Sequence, residues 1–171
     1  ENDFSVYGTV KTGYEPWRVR VSQDGRIFVC SNDVNSTGVA VWEVDPNNFN
    51  KWTPVLKGSR SADYTFQHSG YKIGIICGMD VKNTGDDLTL LLYTTDKSGT
   101  EFAEDHYFAY EYKVSSNTLT PIPAFHGIKK FAIVHNLISM VYGVDGSYWF
   151  GASRSTQSQS DGTALQRNIA H

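Results

Sequence analysis

The densest group of residues able to do chemistry is Asp96, Glu101, Glu104, Asp105 and His106, four carboxylates and an imidazole in one polar stretch. Hard cations take clustered oxygens, so Ca²⁺ is the ion such a group could hold. Its spacing does not follow an EF-hand loop, and a solvated acidic loop is the simpler account, so no cofactor is expected. No His-x-x-x-His or Cys-His spacing supports zinc. Gly-x-Ser-x-Gly elbows and phosphate-cradling glycine loops are also missing, and neither cysteine suits a nucleophile. Cys30 and Cys77 lie inside the apolar runs at 27–30 and 75–78, which reads as small buried thiols before it reads as a disulfide.

A second group is aromatic. Tyr64, Phe66 and Tyr71 surround His68 in a glycine-flanked stretch, and aromatic faces beside carboxylates, amides and guanidinium groups suit carbohydrate, whose C–H faces stack while its hydroxyls take hydrogen bonds. The candidate ligand-binding residues are Tyr14, Glu15, Arg18, Tyr64, His68, Tyr71, Asp105, His106, His135 and Arg154. Trp17, Trp42, Trp52 and Trp149 lie near strand ends and read as packing residues instead. Arg18 and Arg20 alternate with Val19 and Val21, so both guanidinium groups share one face of a strand. If that face is covered, each needs a partner, either Glu15 or an acidic group from the next unit. The sharper alternative is an arginine that lines a channel and binds an anion.

What positions these residues is a repeat. The stretch Val19 to Val29 and the stretch Met140 to Phe150 each give an apolar run, an Asp-Gly pair (Asp24-Gly25, Asp145-Gly146) and a second apolar run, which is a strong hairpin signal and predicts type I′ turns. A looser copy runs from Gly78 through Gly85 to Tyr93, giving a period of about 60 residues. The second half of the unit also recurs. Glu43 aligns with Glu111, and Thr53-Pro54 with Thr120-Pro121. Each unit reads as four strands, a hairpin a–b and a hairpin c–d. Helical periodicity is absent, and Ile75-Ile76-Cys77 and Leu90-Leu91-Leu92 are apolar without alternation, as expected of strands covered on both faces.

Four-stranded units of this length, rich in turn glycines and aromatics, are the character of an all-β propeller with antiparallel blades. Pro16-Trp17-Arg18-Val19 followed by Asp24-Gly25-Arg26-Ile27-Phe28-Val29 resembles the NHL, YncE-like and senescence-marker-type propellers, with six or seven blades. On that resemblance, residues 1–13 are the outer strand of a preceding blade, 14–58 and 59–127 are blades, and 128–171 is an incomplete blade of an unclosed ring. The remaining blades then come from a longer parent chain or from a second copy. A β-sandwich would use the same hairpins but gives no reason for the period.

The short a–b and c–d turns read as structural. The long b–c connections (31–38, 94–106, 153–163) and d–a connections (58–74, 126–136) read as the rim where binding residues concentrate. Net charge of -3, with 15 Lys+Arg against 18 Asp+Glu and no basic run, gives no footprint for nucleic acid. The longest apolar run falls far short of the roughly 20 residues a membrane helix needs. Glu1 reads as a processed or excised end, and Asn35-Ser36-Thr37 is a glycosylation sequon. The expectation is a non-catalytic binding or interaction module of a secreted or cell-surface protein, with a glycan or small-molecule ligand. The alternative, implied by the lactonase-like relatives within the resemblance, is a hydrolase or lyase with a metal in the channel. Arg18, Arg20, Asp80 and Ser139 on the inner strands do not reproduce the Glu, Asn and Asp ligand set of those relatives.

Overall fold

The computed structural model describes residues 16–31, 38–60, 66–68, 71–73, 76–95, 106–129, 136–154 and 166–170. The chain is all-β over these residues, and its one helical turn is a 3-10 turn at Gly85–Asp87. The strands are β1 (Pro16–Val21), β2 (Ile27–Ser31), β3 (Val39–Asp45), β4 (Asn48–Lys57), β5 (Ser59–Arg60), β6 (Phe66–His68), β7 (Tyr71–Ile73), β8 (Ile76–Lys82), β9 (Thr89–Thr95), β10 (His106–Lys113), β11 (Thr118–Lys129), β12 (Asn136–Tyr142), β13 (Tyr148–Arg154) and β14 (Gln166–Ala170). They form antiparallel meanders: a first sheet β1-β2-β3-β4, a central sheet β8-β9-β10-β11, a last sheet β12-β13-β14 and a small sheet β5-β6-β7.

The unalternating run at Leu90 to Tyr93 explains the stacking. Leu90 and Leu92 enter one core with Phe28, Cys30, Val41 and Leu56 of the first sheet. Leu91 and Tyr93 point the other way, into a second core with Met140 and, at its edge, Tyr142 and Tyr148 of the last sheet. Successive side chains of a strand face opposite sides, so a strand apolar at every position needs a cover on each. Each fully buried leucine contributes about 1.5–3 kcal/mol, more than an exposed ion pair such as Lys113–Asp87 at 3.0 Å. Packing between sheets therefore dominates the ledger.

The repeat holds in the hydrogen-bond register. Glu43 lies opposite Thr53 and Glu111 opposite Thr120, while Trp42 faces Pro54 and Tyr110 faces Pro121. The ladder shifts beside both prolines, which have no N–H to give it. These prolines lie on β4 and β11, the edge strands of their sheets, where they blunt pairing with another chain.

The Asp-Gly turns depart from the type I′ expectation. Ser22 N–H donates to the Arg26 carbonyl at 2.9 Å and Gly25 N–H to the Ser22 carbonyl at 3.0 Å. The third copy repeats this at Gly143 to Ser147, at 2.7 Å, and at Gly146 to Gly143, at 3.0 Å. Positive φ falls on Gly25 (85°) and Gly146 (83°) but not on either aspartate. These are three-residue loops, a β-turn followed by a glycine bulge, because the pair that closes the hairpin is 22 with 26 rather than the residues flanking Asp-Gly. In the looser middle copy, Asn83 and Gly85 take positive φ around the 3-10 turn.

Two connections are more ordered than expected. The stretch 58–74 contains the small sheet, and β11 continues through His126 to Lys129. Cys30 is fully buried, while the side chain of Cys77 lies outside the described residues. Among the described residues no helix is long and apolar enough to cross a membrane.

Thr94 is fully buried between the partner strands β8 and β10, and its hydroxyl has no hydrogen-bond partner. Unsatisfied buried hydroxyls cost about 1–3 kcal/mol, so Thr94→Val, of the same shape, should raise the urea midpoint. A lowered midpoint would reveal a partner for that hydroxyl.

Candidate functional site

The first strands of the three large sheets stand beside one another, with β8 touching both β1 and β12. Their polar side chains join across the seams. Arg20 Nε donates to Asp80 Oδ1 at 3.2 Å, and Asp80 Oδ2 accepts the Tyr142 backbone N–H at 2.8 Å. The partner of Arg20 is thus the acid of the next unit, one of the two options open from the sequence. These links span 60 and 62 residues, the period of the repeat. A third, Gly85 N–H to Asp24 Oδ2 at 3.1 Å, ties the first a–b turn to the second. The Ser22 hydroxyl and this N–H hold the Asp24 carboxyl below its ordinary range. The first two a–b turns therefore share one rim.

Glu111 is the second hub. Its Oε1 accepts from Lys82 Nζ at 2.6 Å, Tyr148 O–H at 2.9 Å and Tyr142 O–H at 3.0 Å. Lys82 also lies 4.4 Å from the Tyr142 ring centroid, a cation–π contact. Burial pushes the Glu111 carboxyl up, but its donors Lys82, Tyr148 and Tyr142 together outweigh burial and hold it below its usual range. Burial, with the facing carboxylate, raises the Tyr142 phenol and pushes Tyr148 up to about 12. Both phenols stay protonated at neutral pH and act as donors to an anion, not as bases. The corresponding Glu43 is held by Arg26 in a two-pronged bridge at 2.6 and 2.8 Å within the first sheet.

Of the residues expected to bind ligand, Tyr14, Glu15, Tyr64, Asp105 and His135 lie outside the described residues, as do Asp96, Glu101 and Glu104. The backbones of Tyr71, His106 and Arg154 are described, but not their side chains. His106 opens β10 and Arg154 closes β13, at the ends of their sheets opposite the a–b turns, and Arg18 lies near that same end of β1. His68 sits elsewhere. It pairs with Tyr71 across the small hairpin, and its Nδ1 lies 2.5 Å from the Lys57 carbonyl and its Nε2 3.4 Å from the Asn117 carbonyl. Its ring meets Tyr112 edge-on, and the Tyr112 hydroxyl lies 2.8 Å from the Val55 carbonyl and 2.7 Å from Asn117 Oδ1. His68 therefore clasps the end of β4, where the 58–74 connection leaves the first sheet, to the β10–β11 turn.

Sequence reasoning paired Glu111 with Glu43 but missed Lys82, Tyr142 and Tyr148 as its donors. A charge recurring at one place in two apolar strands was the available signal. Among the described residues no three His, Cys, Asp or Glu side chains converge as a metal site. No protein-family model and no curated protein matches this chain.

Removing the Asp80 carboxylate strands both the Arg20 guanidinium and the Tyr142 N–H. Asp80→Ala should cost about 2 kcal/mol. In a double-mutant cycle with Arg20→Met, a coupling energy near zero would show that the bridge is not energetically real. Because the folded Glu111 pKa lies below the ordinary glutamate value of 4.5, its contribution is present above that pH and is lost as pH falls through the folded value. Glu111→Gln should therefore lower the urea midpoint at pH 7 and shrink the difference between pH 7 and pH 3, both read from denaturation curves.

Proposed function

We propose that the chain is part of a β-propeller of the NHL, YncE-like and senescence-marker kind, with the first, central and last sheets as successive blades around a channel lined by β1, β8 and β12. Its role is that of a non-catalytic binding module for carbohydrate, in a secreted or cell-surface setting. The observation that carries the architecture is the line of bonds from Arg20 through Asp80 to the Tyr142 N–H. First strands set side by side, one repeat apart, are what radially stacked blades require. A two-sheet sandwich gives no reason for a central sheet buried on both faces.

Two features support binding over catalysis. The inner-strand carboxylate Asp80 has both oxygens engaged in holding sheets together, which a metal centre of the lactonase kind would need open. The first two a–b turns share one end of the stack, so β2 and β9 both run from that end and close at the other, where a rigid scaffold can present binding groups. Arg18, His106 and Arg154 stand at or near the strand ends at that other end of the stack.

On a glycan array the chain should be retained by a defined subset of sugars. The double variant His106→Ala and Arg154→Ala should lower retention at least tenfold with an unchanged unfolding midpoint. Unchanged retention would move the site off this rim. Turnover of lactone substrates without glycan retention would replace binding by catalysis.

A further inference from the structure

Matching the hairpins assigns every position to the face it presents. The closing pairs 22 with 26 and 143 with 147 carry the same bonds, so Val21 corresponds to Tyr142, Arg20 to Val141 and Phe28 to Trp149. In the central sheet the closing pair is Lys82 with Thr89, which sets Val81 and Leu90 against Val21 and Ile27, and Asp80 and Leu91 against Arg20 and Phe28. Phe28 opposite Glu43 and Leu91 opposite Glu111 confirm the match. Each sheet thus has a leading face, with the Val21-type positions, and a trailing face, with the Phe28-type positions. Inside the stack a trailing face always meets a leading face. Phe28 and Leu90 share the first seam, and Leu91, Tyr142 and Tyr148 the second.

The inner strands at the ends of the stack break this rule. On the leading face of the first sheet, Val19 is 53% exposed and Val21 58%, while Val29 (3%) and Val44 (0%) on the later strands of the same face are buried. On the trailing face of the last sheet, Val141 is 37% exposed and Trp149, whose indole N–H donates to Ser147 Oγ at 2.9 Å, is 41% exposed. These positions are buried or half-buried wherever the chain itself supplies the neighbouring sheet. The polar inner-strand link stops there too. Where the two internal trailing faces carry Arg20 and Asp80, the last sheet carries Val141, and the end that would face it offers Val19 and Val21. Both open ends are apolar at the place where the internal seams are charged.

We propose that these two faces bind each other between two copies of the chain, the trailing face of each last sheet packing on the leading face of the other copy's first sheet. This rests on the blade reading above. The contact continues an interface already formed twice within the chain, and the valines on both inner strands need no ion-pair partner there. Because the two faces differ, one copy cannot satisfy itself by a single self-complementary patch. A two-fold axis along the channel makes two such seams at once and closes a ring of six sheets; a three-fold or higher axis would close a larger ring, and a rotation that does not close would give an open filament.

Sedimentation equilibrium of the full chain should give twice the 19.1 kDa monomer mass. Val21→Asp and Val141→Asp, both at exposed positions that leave the fold intact, should each weaken dimerisation at least tenfold. Mixing these two variants should restore a heterodimer through the one intact seam, and a chain carrying both Val21→Lys and Val141→Asp should dimerise again. In a chain carrying Val21→Cys and Val141→Cys, oxidation should give a disulfide between copies. A folded wild-type monomer, or open filaments, would overturn the two-copy ring while leaving the blade reading intact. A disulfide formed within one chain would overturn the blade reading itself, since the two positions would then share a seam in a single molecule.

Discussion

The structure depends on one requirement, that a sheet apolar on both faces be covered on both. The central sheet places Leu90 and Leu92 on one side and Leu91 and Tyr93 on the other, all nearly or fully buried. Leaving either set in water would forfeit several kcal/mol, a large part of the net stability of a typical domain. The first and last sheets are therefore not accessories. They are the walls without which the central sheet would not persist as a separate unit.

Stacking by apolar contact alone would leave the sheets free to slide, because hydrophobic attraction is not directional. The polar links supply the register. Asp80 receives one bond from each neighbouring first strand, and Glu111 gathers Lys82 from its own sheet and two tyrosines from the next. Each such group lies partly buried, where a misaligned partner would leave a carboxylate desolvated and unpaired. These links add little to the sum of stabilising energy but make the wrong alignments costly. His68 does comparable work at the outer seam, which is why a residue that looked like a ligand contact on chemical grounds is engaged with the backbone of β4 and of the β10–β11 turn.

The three a–b hairpins show how one sequence motif tolerates different solutions. In the first turn the Ser22 hydroxyl accepts the Arg26 N–H and bonds Asp24. In the third, Gly143 replaces the serine and the hydroxyl comes from Ser147 on the other leg, where a Cβ at 143 would stand only 2.3 Å from it. The Asp-Gly pair remains in both because only the glycine has to enter the left-handed region.

Strand content, hairpin positions and the repeat period were all legible in the sequence, since alternation, turn residues and the Glu…Thr-Pro spacing are local signals that neighbouring residues carry among themselves. The double-sided burial of the central sheet was legible for the same reason, from a run with no polar position to turn outward. What the sequence did not disclose is which residues meet across a seam. Lys82, Tyr142 and Tyr148 are unremarkable in their own strands, and His68 reads as a loop residue beside aromatics. Their roles depend on which sheet packs on which face, and in what register, across separations of some 30 to 60 residues. Only the tertiary structure decides that, because packing and desolvation act between surfaces that do not exist until the sheets have formed.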